Sequence, residues 1–157
     1  MRKLPLYPIL LGLCLFGIAQ FGLASTADAV SCRWKINFVK YQVTRTGGEN
    51  KAEVVVIVSV TGDSVRHPKR GFKRVSRGDT VQVGEEIKRV TVDGRQVFQV
   101  GFQAREIDAS GPSGSLKNES VALSCDRSTD SGKNRTKTYT LGSAALVVKI
   151  TVAYSRV

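Results

Sequence analysis

The chain has 157 residues, of which 24 are Lys or Arg and 13 are Asp or Glu, so its formal net charge is +11. Such a positive net charge favours acidic partners, namely anionic lipid, acidic polysaccharide, phosphate-bearing surface polymers or nucleic acid. The alternative is that the charge only keeps the domain soluble. Beyond its first 29 residues the chain is long enough for one domain with a single core and too short for two.

Residues 1–29 have the three parts of a secretory signal peptide. Arg2 and Lys3 precede an apolar run, and Ala27-Asp28-Ala29 is a small-x-small pattern that predicts cleavage after Ala29. The alternative is a retained signal anchor, because the apolar run approaches the roughly 20 residues that span a bilayer. We predict a secreted or periplasmic domain of residues 30–157, which argues against intracellular nucleic acid as the partner.

Two strands are predicted first in this domain. Trp34, Ile36 and Phe38 alternate with polar residues and indicate a half-buried strand. Ala52 to Val60 is the longest apolar run outside the leader and has β-branched residues on both faces. A strand that is apolar on both faces is covered on both sides, so this run predicts a central strand.

A basic segment, residues 66–77, follows the central strand. Pro68 and Gly71 interrupt it, so its first half is predicted to be a loop. Residues 72–75 and 80–83 predict short strands around Arg77-Gly78-Asp79, which would then lie at a hairpin tip. The basic residues of the segment are Arg66, Lys69, Arg70, Lys73, Arg74 and Arg77.

Asp93-Gly94 lies between two alternating runs and predicts a hairpin with a type I′ turn. Its register would place Val90 opposite Val97 and Ile87 opposite Val100. The side chains predicted to share the core face are Ile87, Phe98, Val100, Phe102 and Ala104.

The last part of the domain predicts a loop over residues 107–117, a short strand over residues 120–125 and a closing strand pair on either side of Gly142-Ser143. Seven or eight mainly antiparallel strands, with no helical stretch after the leader, predict an all-β fold, a single β-sandwich. Cys32 and Cys125 are the cysteines outside the leader, and an even pair in an exported protein predicts a disulfide bond.

Catalysis is not indicated by these residues. His67 is the sole histidine, has no acidic neighbour in sequence, and is predicted to be a solvated loop residue. Glu106 and Asp108 share a strand face, but the sequence predicts no cleft there for a pair of catalytic carboxylates. We predict a binding or structural module that is not an enzyme and needs no cofactor.

The basic segment is the candidate site for an anionic ligand. Cations on long stems contact phosphate or sulfate groups, and Phe72 is an aromatic that inserts at an interface or stacks on a sugar or base. Lys133, Arg135 and Lys137 are predicted to add charge from a later loop. The predicted partner is an anionic lipid or polysaccharide surface, or another extracellular protein.

Two alternatives remain open. Integrin-binding adhesion proteins display Arg-Gly-Asp at a hairpin tip, so Arg77-Gly78-Asp79 predicts a secreted adhesin or inhibitor, although Gly-Asp is also ordinary turn chemistry. Residues 98–108, with residues 118–123 after a loop, resemble the middle strands of the calcium- and lipid-binding β-sandwich domains of the synaptotagmin and protein kinase C type. The resemblance implies calcium at Asp63, Glu106 and Asp108, with Asp126 or Asp130 as further partners.

Overall fold

The computed structural model describes residues 30–107 and 113–157; the predicted leader and Asp108 lie outside the described residues. Nine strands and one 3₁₀ turn, Asp130–Gly132, make up this part of the chain. The strands are β1 (Ser31–Thr46), β2 (Lys51–Val60), β3 (Asp63–His67), β4 (Lys73–Ser76), β5 (Thr80–Asp93), β6 (Arg95–Glu106), β7 (Ser113–Ser124), β8 (Arg135–Gly142) and β9 (Leu146–Arg156).

The strands form two sheets that pack face to face, and all their pairings are antiparallel. Sheet A has the order β5-β1-β9-β8, and sheet B has the order β3-β2-β6-β7 with β4 also paired to β2. The predicted all-β sandwich is confirmed. The described residues contain nine strands rather than seven or eight because the start of the basic segment, predicted as a loop, belongs to β3.

Strand β2 is central to sheet B, as its apolar faces predict. It pairs with β6 on one side and with β3 and β4 on the other. Val54, Val56 and Val58 are fully buried between the sheets, while Val55, on the outer face, is only 3% exposed. Burial on both faces explains why β-branched residues fill this strand.

The core lies between the sheets, where the alternating residues of β1 meet those of β2, β6 and β9. Trp34, Ile36 and Phe38 are completely buried there. The predicted disulfide is confirmed: Cys32 at the start of β1 bonds Cys125 just after β7, so it joins sheet A to sheet B across a sequence separation of 93 residues. A cross-link of that span stabilises the fold by about 4 to 5 kcal/mol through the loss of chain entropy in the unfolded state.

The hairpin predicted at Asp93-Gly94 is wrong. Gly94 does have a positive φ of 65°, but β5 pairs with β1 and β6 pairs with β2 and β7, so the chain crosses between the sheets at this turn. Val90 pairs with Trp34 and Val100 with Val60, not with the predicted partners. Turn residues specify a local reversal, whereas the partner of each strand is decided by covering its apolar face with the opposite sheet.

The predicted core face of this region is nevertheless correct, since inward alternation does not depend on which strand is the neighbour. Val100, Phe102, Ala104 and Ile87 are buried and Phe98 packs against the core. The predicted loop over residues 107–117 is too long, because β7 already begins at Ser113 and pairs with the end of β6.

The predicted hairpin around Arg77-Gly78-Asp79 is also wrong. Strand β4 pairs with β2 in sheet B and β5 pairs with β1 in sheet A, so these three residues connect the two sheets.

In the parts of the chain that the structure describes, no helix has the length and hydrophobicity to cross a bilayer.

Candidate functional site

The basic segment lies at one lateral edge of the sandwich, where β3 and β4 of sheet B stand beside β5 of sheet A. We call this the β3–β5 edge. Strand β3 ends at His67, and β4 begins at Lys73. Both strands pair with β2, one after the other along its length, so residues 68–72 must form a loop that leaves the sheet and returns to it.

Arg66 holds this loop together. Its guanidinium donates one hydrogen bond to the carbonyl oxygen of Pro68 and a second, of 2.7 Å, to the carbonyl oxygen of Gly71. A planar guanidinium has its donors in a fixed fork, so one side chain fixes the relative position of both carbonyls. Arg66 is therefore half-buried under the loop, and its position suits a structural role for two of its donors.

Two further cations of the segment have acidic partners that are distant in sequence. The Nζ of Lys69 lies 3.6 Å from a carboxylate oxygen of Glu85 on β5. The Nη2 of Arg74 lies 2.9 Å from a carboxylate oxygen of Glu53 on β2, which also accepts from its Nε. Because the Lys69 and Arg74 side chains are largely exposed, both ion pairs are weak and open to exchange with another anion.

Arg70 and Lys73 differ from their neighbours. Both are exposed, and among the described residues neither has a carboxylate within ion-pair distance. Phe72 lies between them in sequence and is 43% exposed, which is unusual for a large aromatic side chain. The loop and the first residue of β4 thus present two unpaired cations and an apolar ring within four consecutive residues.

Arg77 lies away from this loop, in the connection between the two sheets. The N–H of Gly78 donates to the carbonyl of Val43 over 2.7 Å, and the Asp79 carboxylate accepts from the N–H of Ser76 over 3.2 Å. The tripeptide is therefore held against β1, and the Asp79 carboxylate accepts a hydrogen bond from the turn in which it lies. The projecting hairpin tip that the adhesin or inhibitor alternative requires is not formed.

His67 is not the solvated loop residue that was predicted. It ends β3, is half-buried, and packs against the ring of Tyr41 with the ring centroids 5.7 Å apart. Its Nδ1 lies 3.4 Å from the Tyr41 hydroxyl, whose pKa is raised to about 12 by burial. Burial also lowers the pKa of His67; Glu85 opposes this shift and Lys73 adds to it.

The cations predicted to reinforce the basic segment are elsewhere. Arg135 donates to the carbonyls of Asp130 and Ala122 and stacks over Tyr154, with 5.5 Å between its guanidinium carbon and the ring centroid. Lys137 lies over the ring of Tyr139. These residues belong to β8, at the opposite lateral edge, where β8 stands beside β7. We call this the β7–β8 edge.

Asp63 and Glu106, the described members of the calcium site that the resemblance implies, do not lie together. Asp63 pairs with Val60 of β2 and Glu106 pairs with Val54, so six residues of β2, or about 20 Å, separate them. The Asp63 carboxylate lies 2.7 Å from the Nζ of Lys88, and Glu106 is buried at the far end of β6.

The other two candidate ligands are engaged as well. The Asp126 carboxylate accepts from both the N–H and the hydroxyl of Ser128, and these bonds lower its pKa. Asp130 lies 3.5 Å from the Nζ of Lys133. Within residues 30–107 and 113–157, no three His, Cys, Asp or Glu side chains come together as a metal-binding group.

Comparison with known proteins gives similarity only to solved structures, since no protein family and no curated protein matches the chain. A two-domain structure of extended synaptotagmin 2, with its first and second C2 domains, has a TM-score of 0.48 and 12% identity, over 99% of this chain and 48% of that one. The first C2 domain of plant extended synaptotagmin 1 has a TM-score of 0.35 and 12% identity, over 80% of this chain and 95% of that one. Human GIVD cytosolic phospholipase A2 has a TM-score of 0.46 and 13% identity, over 82% of this chain and 16% of that one.

The structures similar to this chain therefore include synaptotagmin-type domains, in agreement with the resemblance seen in the sequence. The chain spans less than a fifth of the phospholipase chains it matches. With TM-scores below 0.5, these matches carry no argument about ligands, so function has to be argued from the residues of this chain.

Proposed function

We propose that the protein is an exported, non-enzymatic module that binds anionic lipid headgroups or acidic polysaccharide through the basic segment. The observation that supports this proposal is the exposed group of Arg70, Phe72 and Lys73, on a loop that Arg66 fixes from beneath. Unpaired cations around an apolar ring suit a surface that offers phosphate or sulfate groups above a less polar layer. Export rests on the pattern of residues 1–29.

Lys69 and Arg74 extend the proposed contact surface. Each is exposed and bound to a single carboxylate, so a ligand anion can replace Glu85 or Glu53 at small cost. Arg66 contributes by positioning the loop, and Arg77 adds long-range attraction from the inter-sheet connection. The proposal needs no metal ion, because the segment supplies the positive charge that calcium would otherwise bring to an anionic surface.

A non-enzymatic role is supported by the surroundings of His67. It is the only histidine of the chain, and its Nδ1 faces the hydroxyl of a deeply buried tyrosine whose raised pKa makes it a poor nucleophile. A general base must be able to reach the substrate proton that it removes. The Tyr41 hydroxyl faces the Nδ1 of His67, so this nitrogen is not open to a substrate.

The test is retention of the full chain on vesicles that contain phosphatidylglycerol and, separately, on heparin. Charge reversal in Arg70→Glu with Lys73→Glu should remove most retention on both, and wild-type retention should fall as salt rises. The matched control is Lys40→Glu with Lys149→Glu, which changes the net charge equally at exposed lysines of β1 and β9. Equal retention of the two double variants would reject the basic segment as the site.

Two further arms of this experiment separate the ligand classes. Phe72→Ala should weaken retention on vesicles more than on heparin, because only a bilayer offers an apolar layer for the ring. Retention should be the same with calcium and with a chelator. A requirement for calcium would contradict the proposal and would favour the calcium-dependent alternative.

A further inference from the structure

A second cluster of cations lies where the end of β9 meets the bridging loop, residues 126–134, which connects β7 of sheet B to β8 of sheet A beside the disulfide. The loop and the end of β9 line a cavity of about 440 Å³ that is open to solvent. The residues that line this cavity are Arg127, Gly132, Lys133, Asn134 and Arg156. Among these described lining residues there are three cations and no carboxylate.

The shape of the bridging loop is fixed by its own hydrogen bonds. Asp126 accepts from Ser128 through its carboxylate and from the Thr129 hydroxyl through its carbonyl, over 2.8 Å. The N–H of Gly132 donates to the carbonyl of Thr129 over 3.0 Å. Gly132 is buried so closely that a Cβ there would overlap the Asp126 carbonyl oxygen. The cavity wall is therefore built from a backbone with little freedom to rearrange.

Arg156 and Asn134 attach this wall to β9. The backbone N–H of Arg156 donates to the Asn134 side-chain oxygen over 2.7 Å, and its Nη1 donates to the carbonyl of Cys125 over 2.8 Å. Since the Asn134 oxygen is occupied as an acceptor, its NH₂ group is left as a donor at the cavity. A guanidinium has five N–H donors, so Arg156 retains others for a ligand.

The remaining two cations are exposed. Among the described residues, Arg127 has no carboxylate within ion-pair distance, and Lys133 lies 3.5 Å from Asp130. The Asp130 side chain is fully exposed, so this pair is weak and Lys133 is available to a stronger anion. The cavity thus combines two guanidinium groups, an ammonium group and an amide donor.

We propose that this cavity is a binding site for a single phosphate or sulfate group, separate from the basic segment. Converging guanidinium and ammonium donors match the oxygens of such a group, and a fixed wall lowers the ordering cost of binding it. The basic segment is at the β3–β5 edge and the cavity at the β7–β8 edge, three strand spacings or about 14 Å away across each sheet. The two sites are therefore predicted to act independently.

The experiment is a titration of the isotope-labelled full chain with sodium phosphate, followed by amide chemical shifts, with sodium chloride at equal ionic strength as the reference. Saturable shifts should be confined to residues 126–134 and the end of β9. The site variant, Arg127→Gln with Lys133→Gln, should bind phosphate at least about tenfold more weakly, since a charge-assisted hydrogen bond contributes about 1.5 kcal/mol or more. The matched control, Lys51→Gln with Lys149→Gln, should bind within about twofold of wild type.

Arg127 and Lys133 are exposed, so both variants should keep the dispersed amide spectrum of the folded chain. Shifts that grow linearly without saturation, or that are equal in the site variant and the control, would overturn the proposal. Repeating the titration on the Arg70→Glu with Lys73→Glu variant, with sodium sulfate and with phosphatidylglycerol vesicles, identifies the source without a contribution from the basic segment. Tighter binding of vesicles assigns the group to a lipid headgroup, and tighter binding of the free ions assigns it to a soluble anion.

The outcome is distinguishable from that of the proposed function. Arg70→Glu with Lys73→Glu should leave the phosphate shifts of the bridging loop unchanged. Loss of those shifts in this variant would overturn the independence of the two sites.

Discussion

The basic segment and the bridging loop both carry clustered cations, at opposite edges of the sandwich, but they are held in different ways. Between its two strands, the loop of the basic segment, residues 68–72, is held by one side chain, Arg66, and by the exposed ion pair of Lys69. Several short-range hydrogen bonds and the close backbone contact of Gly132 hold the bridging loop. A loop with few restraints adapts to an extended surface, whereas a fixed loop is preorganised for one small group.

The largest effect should come from placing a methyl group at the glycine of each region. Gly132→Ala puts a Cβ into the Asp126 carbonyl and should cost about 3 kcal/mol, because well-packed surroundings resist expansion. In Gly71→Ala the new methyl group has open space around it. The cost is then only the backbone strain of an alanine at a φ of 62°, about 1 kcal/mol. Urea denaturation of both variants measures the difference. Equal costs would show that the bridging loop is no more rigid than the basic segment.

A smaller effect should follow from Arg66→Lys, which keeps the charge and removes the guanidinium fork. An ammonium group cannot bridge the Pro68 and Gly71 carbonyls in the same way, so we expect a loss of about 1 kcal/mol and faster amide exchange in residues 69–72. The control is Arg74→Lys, at an exposed ion pair, where about 0.5 kcal/mol or less is expected.

Unchanged exchange in the Arg66→Lys variant would show that the loop keeps its shape without the fork. Retention on anionic vesicles should fall in this variant even though its net charge is the same. Phosphate binding at the bridging loop should not change, since Arg66 lies at the other edge of the sandwich.

The smallest effect should be a difference in pH dependence. Burial lowers the pKa of His67 in the folded chain below its ordinary value near 6.5. As pH falls through that value, His67 is therefore protonated in the unfolded chain before it is protonated in the folded chain. The unfolded state then carries more protons, and stability should fall from pH 7.5 toward pH 5. It levels off once both states are protonated.

The bridging loop contains no histidine, and its titrating group with a shifted pKa is Asp126. Hydrogen bonds from Ser128 lower that pKa, so the stability they add is present above the ordinary value near 3.8 and is lost as pH falls through the lower folded value. Melting temperatures of the wild type and of the His67→Gln variant between pH 7.5 and pH 5 separate the contribution of His67 from that of Asp126. A decline of equal size in both proteins would exclude His67 as its cause.

Much of the fold was predictable from local patterns. The valine-rich run of β2 indicates burial on both faces, and the alternation in β1 and β6 indicates which side chains point inward. Strand partners were not predictable in the same way. Asp93-Gly94 is a turn as its residues suggest, but it crosses between sheets, because β5 pairs with β1 while β6 pairs with β2 and β7 in the opposite sheet.

The candidate site was predictable only as charge. Composition indicates that residues 66–77 are basic, and the structure shows that Arg70, Phe72 and Lys73 are exposed. Composition does not indicate that the Arg66 guanidinium donates hydrogen bonds to its own loop. The acceptors are backbone carbonyls, which every residue has, so no side chain in the sequence marks them.

Arg127 of the bridging loop and Arg156 of β9 line the cavity, and the sequence does not single out either of them. They are 29 positions apart and meet only because β9 returns to the disulfide end of the sandwich.

Gly132 also has a consequence for recognising relatives of this protein. Gly132 lies seven positions after Cys125, and any side chain there meets the backbone of Asp126, next to the cysteine that is cross-linked to Cys32. Surface charges can drift during divergence while the fold survives, but this glycine and the two cysteines cannot change one at a time without damage. In distant descendants whose other residues no longer align, a cysteine followed at that spacing by glycine is the fingerprint to seek.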